Sequence, residues 1–268
     1  MTSGAVLTER EFSQFSKLIY ERAGIHLPPS KLALVSGRLA KRVKHYQFDS
    51  YGDYFRLVMR EGGAELQLMV DLLTTNETYF FREPKHLDYL RDHILPEHRA
   101  GRAFRIWSAA SSSGEEPYSL AMVLADVLGD GLWEVLGSDI SARVLEKARR
   151  GHYSLDRTEG LPFHYRSRYC LKGVGSYEGT LLVDRSIRSR VQFMQVNLIE
   201  PLPKLGEFDV IFLRNVMIYF DLETKRAVVA RLLPLLRSGG YFFVSHSETL
   251  HGINDTLRIV APSVYRKP

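Results

Sequence analysis

From about residue 103 the chain alternates short apolar runs with amphipathic segments, and that alternation leaves few folds open to it. AFRIWSA reads as a buried strand, PYSLAMVLADVLG as a helix with Pro117 in its first turn and Gly129 at its end, and WEVLGSD as a second strand. SARVLEKARRG follows as a capped helix whose basic last turn suits the helix dipole. VQFMQVNL, FDVIFLRN and GYFFVSHS are further strands, with DLETKRAVVARLLPLLR as a helix between the last two, opened by Asp221; LRIVAPSVYRK is expected as one last strand. Strands alternating with helices predict a parallel sheet covered on both faces.

The first seventy or so residues carry no strand pattern and read as a small helical domain. Thr8 and Glu11 form a capping box ahead of Phe12, Phe15, Leu18 and Ile19, and Gly24 is a helix stop. After Pro28 and Pro29, Ser30 is expected to cap a second helix reaching about Tyr46, with Leu32, Val35, Leu39 and Val43 as its apolar stripe. Lys31, Arg38 and Arg42 fall in a narrow arc beside that stripe. Asp49 or Ser50 caps a third helix with Tyr51, Tyr54, Phe55 and Val58, and a fourth carries Leu66, Met69, Val70 and Leu73. The expected division is a helical domain over 1–74, a linker over 75–90 and an α/β domain over 91–268. Residues of about 152–188 are too long for a simple βα connection and hold turns at 160–162 and 173–179, so a small inserted β-rich unit is expected there.

Ligands of doubly wound folds sit at the C-terminal ends of the strands. There the loop SAASSSGEEP is built from small residues that let a ligand approach the backbone, with Gly114 near its end. Asp139 ends the second strand, placed to accept hydrogen bonds from ribose hydroxyls, and Asn197 and Asn215 each follow an apolar strand. No G-x-G-x-x-G joins strand to helix, and no G-x-x-x-x-G-K-[ST] loop occurs. A ribose-binding carboxylate without a phosphate motif favours a phosphate-free nucleoside cofactor, which S-adenosylmethionine is.

The string TTNETYFFRE (74–83) joins the two domains. Its aromatics suit burial between them, whereas Arg82 after two phenylalanines requires a partner. With RIWSAASSSGEEPYSLA, GSDIS, VNLIE and FLRNVMIYF in order, it resembles the CheR family of chemotaxis receptor methyltransferases over nearly the whole chain.

The resemblance implies a Rossmann-like S-adenosylmethionine-dependent methyltransferase domain, an N-terminal all-helical domain and an inserted β-subdomain. It implies methylation of glutamates on the cytoplasmic helical bundle of chemoreceptors, leaving S-adenosylhomocysteine. Asn76, Thr78, Arg82, Glu116, Asp139, Asn197, Leu198, Asn215 and Val216 are the implied cofactor contacts, with Arg82 and Tyr219 at the reacting centre. Lys31, Arg38 and Arg42 become an electropositive patch docking on acidic receptor helices; the alternative is a solvated helix face. In some members the β-subdomain binds a C-terminal receptor peptide. The loop KGVGSYEG resembles theirs, departing at Ser176, where proline is expected.

The remaining features narrow the field. The net charge of +5 admits an acidic partner, nucleic acid included, but no aromatic-basic reader motif, D/N-P-P-Y/F string or catalytic cysteine is present. Nine histidines show no zinc spacing; His86 and His93 read as surface or structural, and no metal is expected. Glu115 reads as a charge complementing the helix dipole, and the single cysteine, Cys170, as an inert thiol. No apolar run is long enough to span a bilayer, and the opening MTSGAVLTEREF has no basic-then-apolar leader, so a cytoplasmic protein without membrane insertion is expected. A nucleic-acid methyltransferase and a non-catalytic receptor-binding scaffold are the competing functions.

Overall fold

The computed structural model describes residues 5–98 and 101–268; the MTSG at the start of the segment read for a leader lies outside the described residues. Helix α1 (Glu9–Ala23) opens on the expected box: Thr8 N–H donates to the Glu11 carboxylate at 2.9 Å, and Glu11 N–H to Thr8 Oγ1 at 3.3 Å. Gly24 ends it at φ +70°, and a Cβ there would meet Ile199 at 2.8 Å and Thr224 at 2.9 Å. Two constraints therefore fall on Gly24: left-handed backbone and the approach of the C-terminal domain.

The second helix departs from expectation. Pro29–Lys31 form a single 3-10 turn, Ser30 caps nothing, and α2 begins at Leu32 and runs to His45. Ser30 lies inside that turn, which Lys31 N–H closes on the Pro28 carbonyl at 2.9 Å, and not in the extended backbone that a cap requires. Ser50 caps α3 (Tyr51–Glu61) by accepting the Asp53 N–H at 3.1 Å, and α4 (Gly63–Leu73) completes the bundle. Phe15, Ile19, Val35, Leu39, Tyr54 and Met69 fill its core.

The second domain follows α5 (Pro84–Tyr89). In chain order it contains β1 (Phe104–Ser108), α6 (Glu115–Leu128), β2 (Trp133–Asp139), α7 (Ala142–Arg150), the insertion, β6 (Val191–Gln195), β7 (Phe208–Phe212), α10 (Leu222–Leu232), β8 (Leu236–Phe243), β9 (Arg258–Ala261) and β10 (Val264–Arg266). The insertion holds β3 (His152–Ser154), α8 (Phe163–Tyr169), β4 (Cys170–Lys172), β5 (Thr180–Val183) and the short α9 (Arg185–Arg188), its strands forming an antiparallel sheet in the order β3-β5-β4.

The main sheet runs β6-β2-β1-β7-β8-β10-β9. Its first five strands are parallel, and the last two are antiparallel. The closing segment is thus a hairpin rather than the single strand expected, folding back at Pro262–Ser263, where Ser263 takes φ +62°. Alternate residues serve opposite faces: Tyr241 and Phe243 pack in the core beside α6, Phe242 and Val244 in the core beside α10. Strand order reverses between β1 and β7, so the strand tips around that point form a crevice. Among the described residues no helix is long and apolar enough to cross a membrane.

Candidate active site

The crevice encloses about 840 Å³ of space between its walls, part of it open to solvent. Loops after β1, β2, β6 and β7 supply Ala109, Ser112, Asp139, Asn197, Leu198, Asn215 and Val216, and Glu116 enters from α6. The linker closes it with Asn76, Thr78 and Arg82, and Tyr219 stands beside Val216 in the wall. All the residues expected at the cofactor and the reacting centre therefore line one cavity.

The linker is pinned by its aromatics. Phe80 is fully buried, edge-on to Tyr153 at 5.0 Å, and Phe81 stacks on Tyr165 at 4.8 Å. Each such side chain contributes about 1.5–3 kcal/mol on burial. Phe81 N–H donates to Ser119 Oγ at 3.0 Å, which fixes the backbone there. Phe81 (φ +55°) and Glu83 (φ +56°) both take the left-handed conformation and flank Arg82; Ser112 (+49°) and Asn215 (+56°), also left-handed, line the cavity. Only two other described non-glycine residues share this backbone, Gln47 and Ser263, so the strain gathers at the site. Arg82 Nη1 donates to the Glu77 carbonyl at 2.9 Å, and the guanidinium stacks on Tyr79 at 5.5 Å. These are the partners that the sequence required of Arg82.

Asp139 is the buried acid at the strand tips. Its Oδ2 accepts the Ser112 N–H and its Oδ1 the Ser141 N–H, each at 2.9 Å. Burial pushes its carboxyl above the usual range despite these bonds. A carboxylate has about four acceptor sites, so these bonds leave it capacity for a further donor. Asn197 Nδ2 donates to the Arg22 carbonyl at 2.8 Å, tying this strand tip to the end of α1.

Arg214, which no sequence signal singled out, organises the opposite wall. Its side chain is only 2% exposed. Nη1 reaches Glu116 Oε2 at 2.8 Å; Nη2 reaches the Arg82 carbonyl at 2.7 Å and Glu83 Oε2 at 3.1 Å. Ser108 Oγ donates to the other Glu116 oxygen at 2.7 Å. Glu83, His86 and His246 bring three ligand-type atoms within 4.8 Å of one another, but Arg214 already neutralises that carboxylate. His86 is buried rather than at the surface, and burial with the Arg214 charge lowers its imidazole to about 3, so it is neutral. Burial lifts the Cys170 thiol to about 12, which keeps it protonated and unreactive.

Several expected roles change. Gly114 does not line the cavity: its φ is +96°, and a Cβ would meet Ala148 at 2.9 Å and Tyr153 Oη at 3.0 Å, so α7 packing demands the glycine. Glu115 is fully buried and pairs with Arg157 of the insertion at 2.9 Å, so it does more than complement a dipole. Helix α7 is capped not by Ser141 but by Asp71 of α4, whose carboxylate accepts the Ala142 N–H at 3.1 Å and, more weakly, the Arg143 N–H at 3.4 Å. Arg42, expected to face a partner, makes a two-pronged pair with Glu65 at 3.0 and 2.7 Å, joined by the Tyr46 and Tyr54 hydroxyls. Arg38 donates to the Leu73 and Thr74 carbonyls at 2.8 and 3.1 Å. Lys31 is exposed, and with Arg38 it lines a second groove that reaches Tyr219.

Comparison with known proteins agrees with this geometry. Residues 10–74 match the CheR methyltransferase all-alpha domain, and residues 76–265 match the CheR methyltransferase SAM binding domain. The chain is 40% identical over 269 residues to a chemotaxis protein methyltransferase of Salmonella typhimurium, covering 99% of this chain and 92% of that one. It is 42% identical over 261 residues to chemotaxis protein methyltransferase 2 of Pseudomonas aeruginosa, covering 96% and 93%. To the chemotaxis protein methyltransferase of Borreliella burgdorferi it is 35% identical, covering 97% and 95%. With both domains matched in order and relatives aligned almost end to end, the chain belongs to the CheR family and is an S-adenosylmethionine-dependent protein methyltransferase.

Proposed function

We propose that the enzyme forms methyl esters on glutamate side chains of the cytoplasmic helical domain of chemoreceptors, tuning chemosensory adaptation. The observation that carries this reading is the setting of the cavity: its linker wall bears Arg82, and the groove reaching Tyr219 bears Arg38 and Lys31. An anionic acceptor suits such an entrance.

S-adenosylmethionine, when bound, supplies an electrophilic methyl group that a carboxylate can take without proton transfer. Glutamate has an ordinary pKa of about 4.3 and is already ionised at neutral pH, so the site requires no general base. Asp139 would accept hydrogen bonds from the ribose hydroxyls, and Asn76, Thr78, Glu116, Asn197, Leu198, Asn215 and Val216 would shape the rest of the cofactor site. Arg82 would offset desolvation of the incoming carboxylate and orient it, and Tyr219 would flank the reacting centre. Holding both reactants in line contributes several kcal/mol, on the order of 7–11 in well-oriented systems.

Lys31 and Arg38 serve docking, while Arg42 is engaged by Glu65 and drops out of that role. The exposed Leu171, Val174 and Tyr177 of the insertion, with β4 at the edge of its sheet, suit a receptor-tail peptide added as a further strand. The enzyme works in the cytoplasm, where those receptor domains lie.

The test is transfer of tritium from methyl-labelled cofactor to a purified receptor cytoplasmic domain, followed by treatment with base. Volatile methanol is expected. Base-stable label on nucleic acid, or no label at all, contradicts the reading.

A further inference from the structure

Beside the cofactor cavity lies a larger cleft, of about 1540 Å³, that shares Thr74, Asn76 and Glu77 of the linker with it. One wall is α2, contributing Arg38 and Lys41; the other is α7, contributing Arg143, Lys147 and Arg150. The α7 residues recur at four- and three-residue steps, which places all three on one face of the helix. With Arg157, six cationic side chains face two carboxylates, Glu77 and Glu115, and Glu115 is already neutralised by Arg157. The excess of +4 is most of the +5 carried by the whole chain. Lys41, Lys147 and Arg150 are exposed and have no ion-pair partner among the described residues.

A basic last turn on α7 would suit its dipole alone, but dipole compensation accounts neither for Arg143 in the first turn nor for Lys41 on the facing wall. We infer that the α2–α7 cleft is the seat of the acidic partner helices, with Lys147 and Arg150 of α7 as docking residues in addition to α2. This rests on the proposed glutamate methylation and extends it to a second, catalytic-domain wall. Asp71 caps α7 and Arg38 holds the end of α4, so the two walls are fixed relative to each other and can read one partner surface. The partner is protein rather than nucleic acid: of the two aromatic rings among the described residues lining the cleft, Tyr153 is buried with its hydroxyl on the Ser113 carbonyl, and His152 is held by Thr180 Oγ1 at 2.8 Å and the Tyr177 ring at 5.7 Å, so no row of free rings offers itself to successive bases.

The test compares receptor methylation kinetics of the full-length enzyme, a Lys147→Glu/Arg150→Glu variant, Lys41→Glu and a Lys204→Glu control remote from the cleft. At low salt the α7 double reversal should raise KM for receptor about tenfold, with Lys41→Glu in the same direction, and the effect should shrink at high salt. Turnover at saturating receptor and affinity for S-adenosylhomocysteine should hold, which excludes misfolding. Lysines placed at acidic receptor positions flanking the modified glutamate should restore the double variant. An unchanged KM in a wild-type system that yields base-labile ester overturns this inference and leaves the proposed function standing; absence of ester from the wild type overturns the proposed function itself. Tight binding of single-stranded RNA that receptor fails to displace, and that the α7 reversal abolishes, overturns the inference in favour of nucleic acid.

Discussion

Replacing Arg214 by methionine removes the one guanidinium that joins Glu116, Glu83 and the Arg82 carbonyl. Methionine keeps much of the volume and deletes the charge, leaving two carboxylates that are only 14% and 15% exposed without a counter-ion. Breaking a buried pair from one side costs about 3–5 kcal/mol. Because the carboxylates retain some solvent, the lower end applies, about 3 kcal/mol. For a chain of this size each kcal/mol moves the midpoint roughly 2–4 °C, so thermal unfolding should fall by roughly 6–12 °C.

The deficit is one of unpaired negative charge, so removing a charge should reduce it. A further Glu116→Gln change should recover part of the midpoint without recovering S-adenosylhomocysteine binding. The assay is calorimetric unfolding at pH 7.5, with titration of S-adenosylhomocysteine. A midpoint within 2 °C of wild type together with unchanged product affinity would refute the buttressing role.

Asp139→Asn should weaken S-adenosylhomocysteine binding by about 1.5–3 kcal/mol, the worth of hydrogen bonds to a charged acceptor. The proposed ribose contact is to the ionised form, and burial raises the carboxyl, so affinity should decline with falling pH sooner than an ordinary carboxylate would allow; the asparagine variant should lose that slope. Burial acts to raise the Glu65 carboxyl, but hydrogen bonds from Arg42, Tyr54 and Tyr46 more than offset it and hold it below the usual range. That stability is present above the unfolded pKa, near 4.3, and is lost as pH falls through the folded value. Glu65→Gln should destabilise the helical domain by about 3 kcal/mol at pH 7 and flatten its acid response, as circular dichroism would report. Tyr219→Ala should lower kcat with product affinity unchanged, and full turnover would remove the ring from the reacting centre.

Features that depend on neighbours along the chain are legible in the sequence: the Thr8–Glu11 box, the Gly24 stop, the strand ending in Asp139 and the strand that Asn215 follows. The cavity residues could be read because strand tips in a parallel sheet converge, so position along a strand stands in for position in space. What escaped depends on distant pairs. Arg214 meets Glu116 across 98 positions and the Arg82 carbonyl across 132, and Asp71 caps α7 from 71 residues upstream. Arg42 looked like a surface cation until Glu65, 23 residues on, was folded against it. The C-terminal hairpin was missed because its turn uses Ser263 at φ +62° where a glycine or asparagine would have signalled the reversal.

The decisive measurement is a crystal structure with S-adenosylhomocysteine. It should show the nucleoside at the tips of β1, β2 and β7, both ribose hydroxyls about 3 Å from the Asp139 carboxylate, and the sulfur turned toward Arg82 and Tyr219. Failure of the protein to take up the ligand, or a ligand held away from Asp139, would contradict the proposed site.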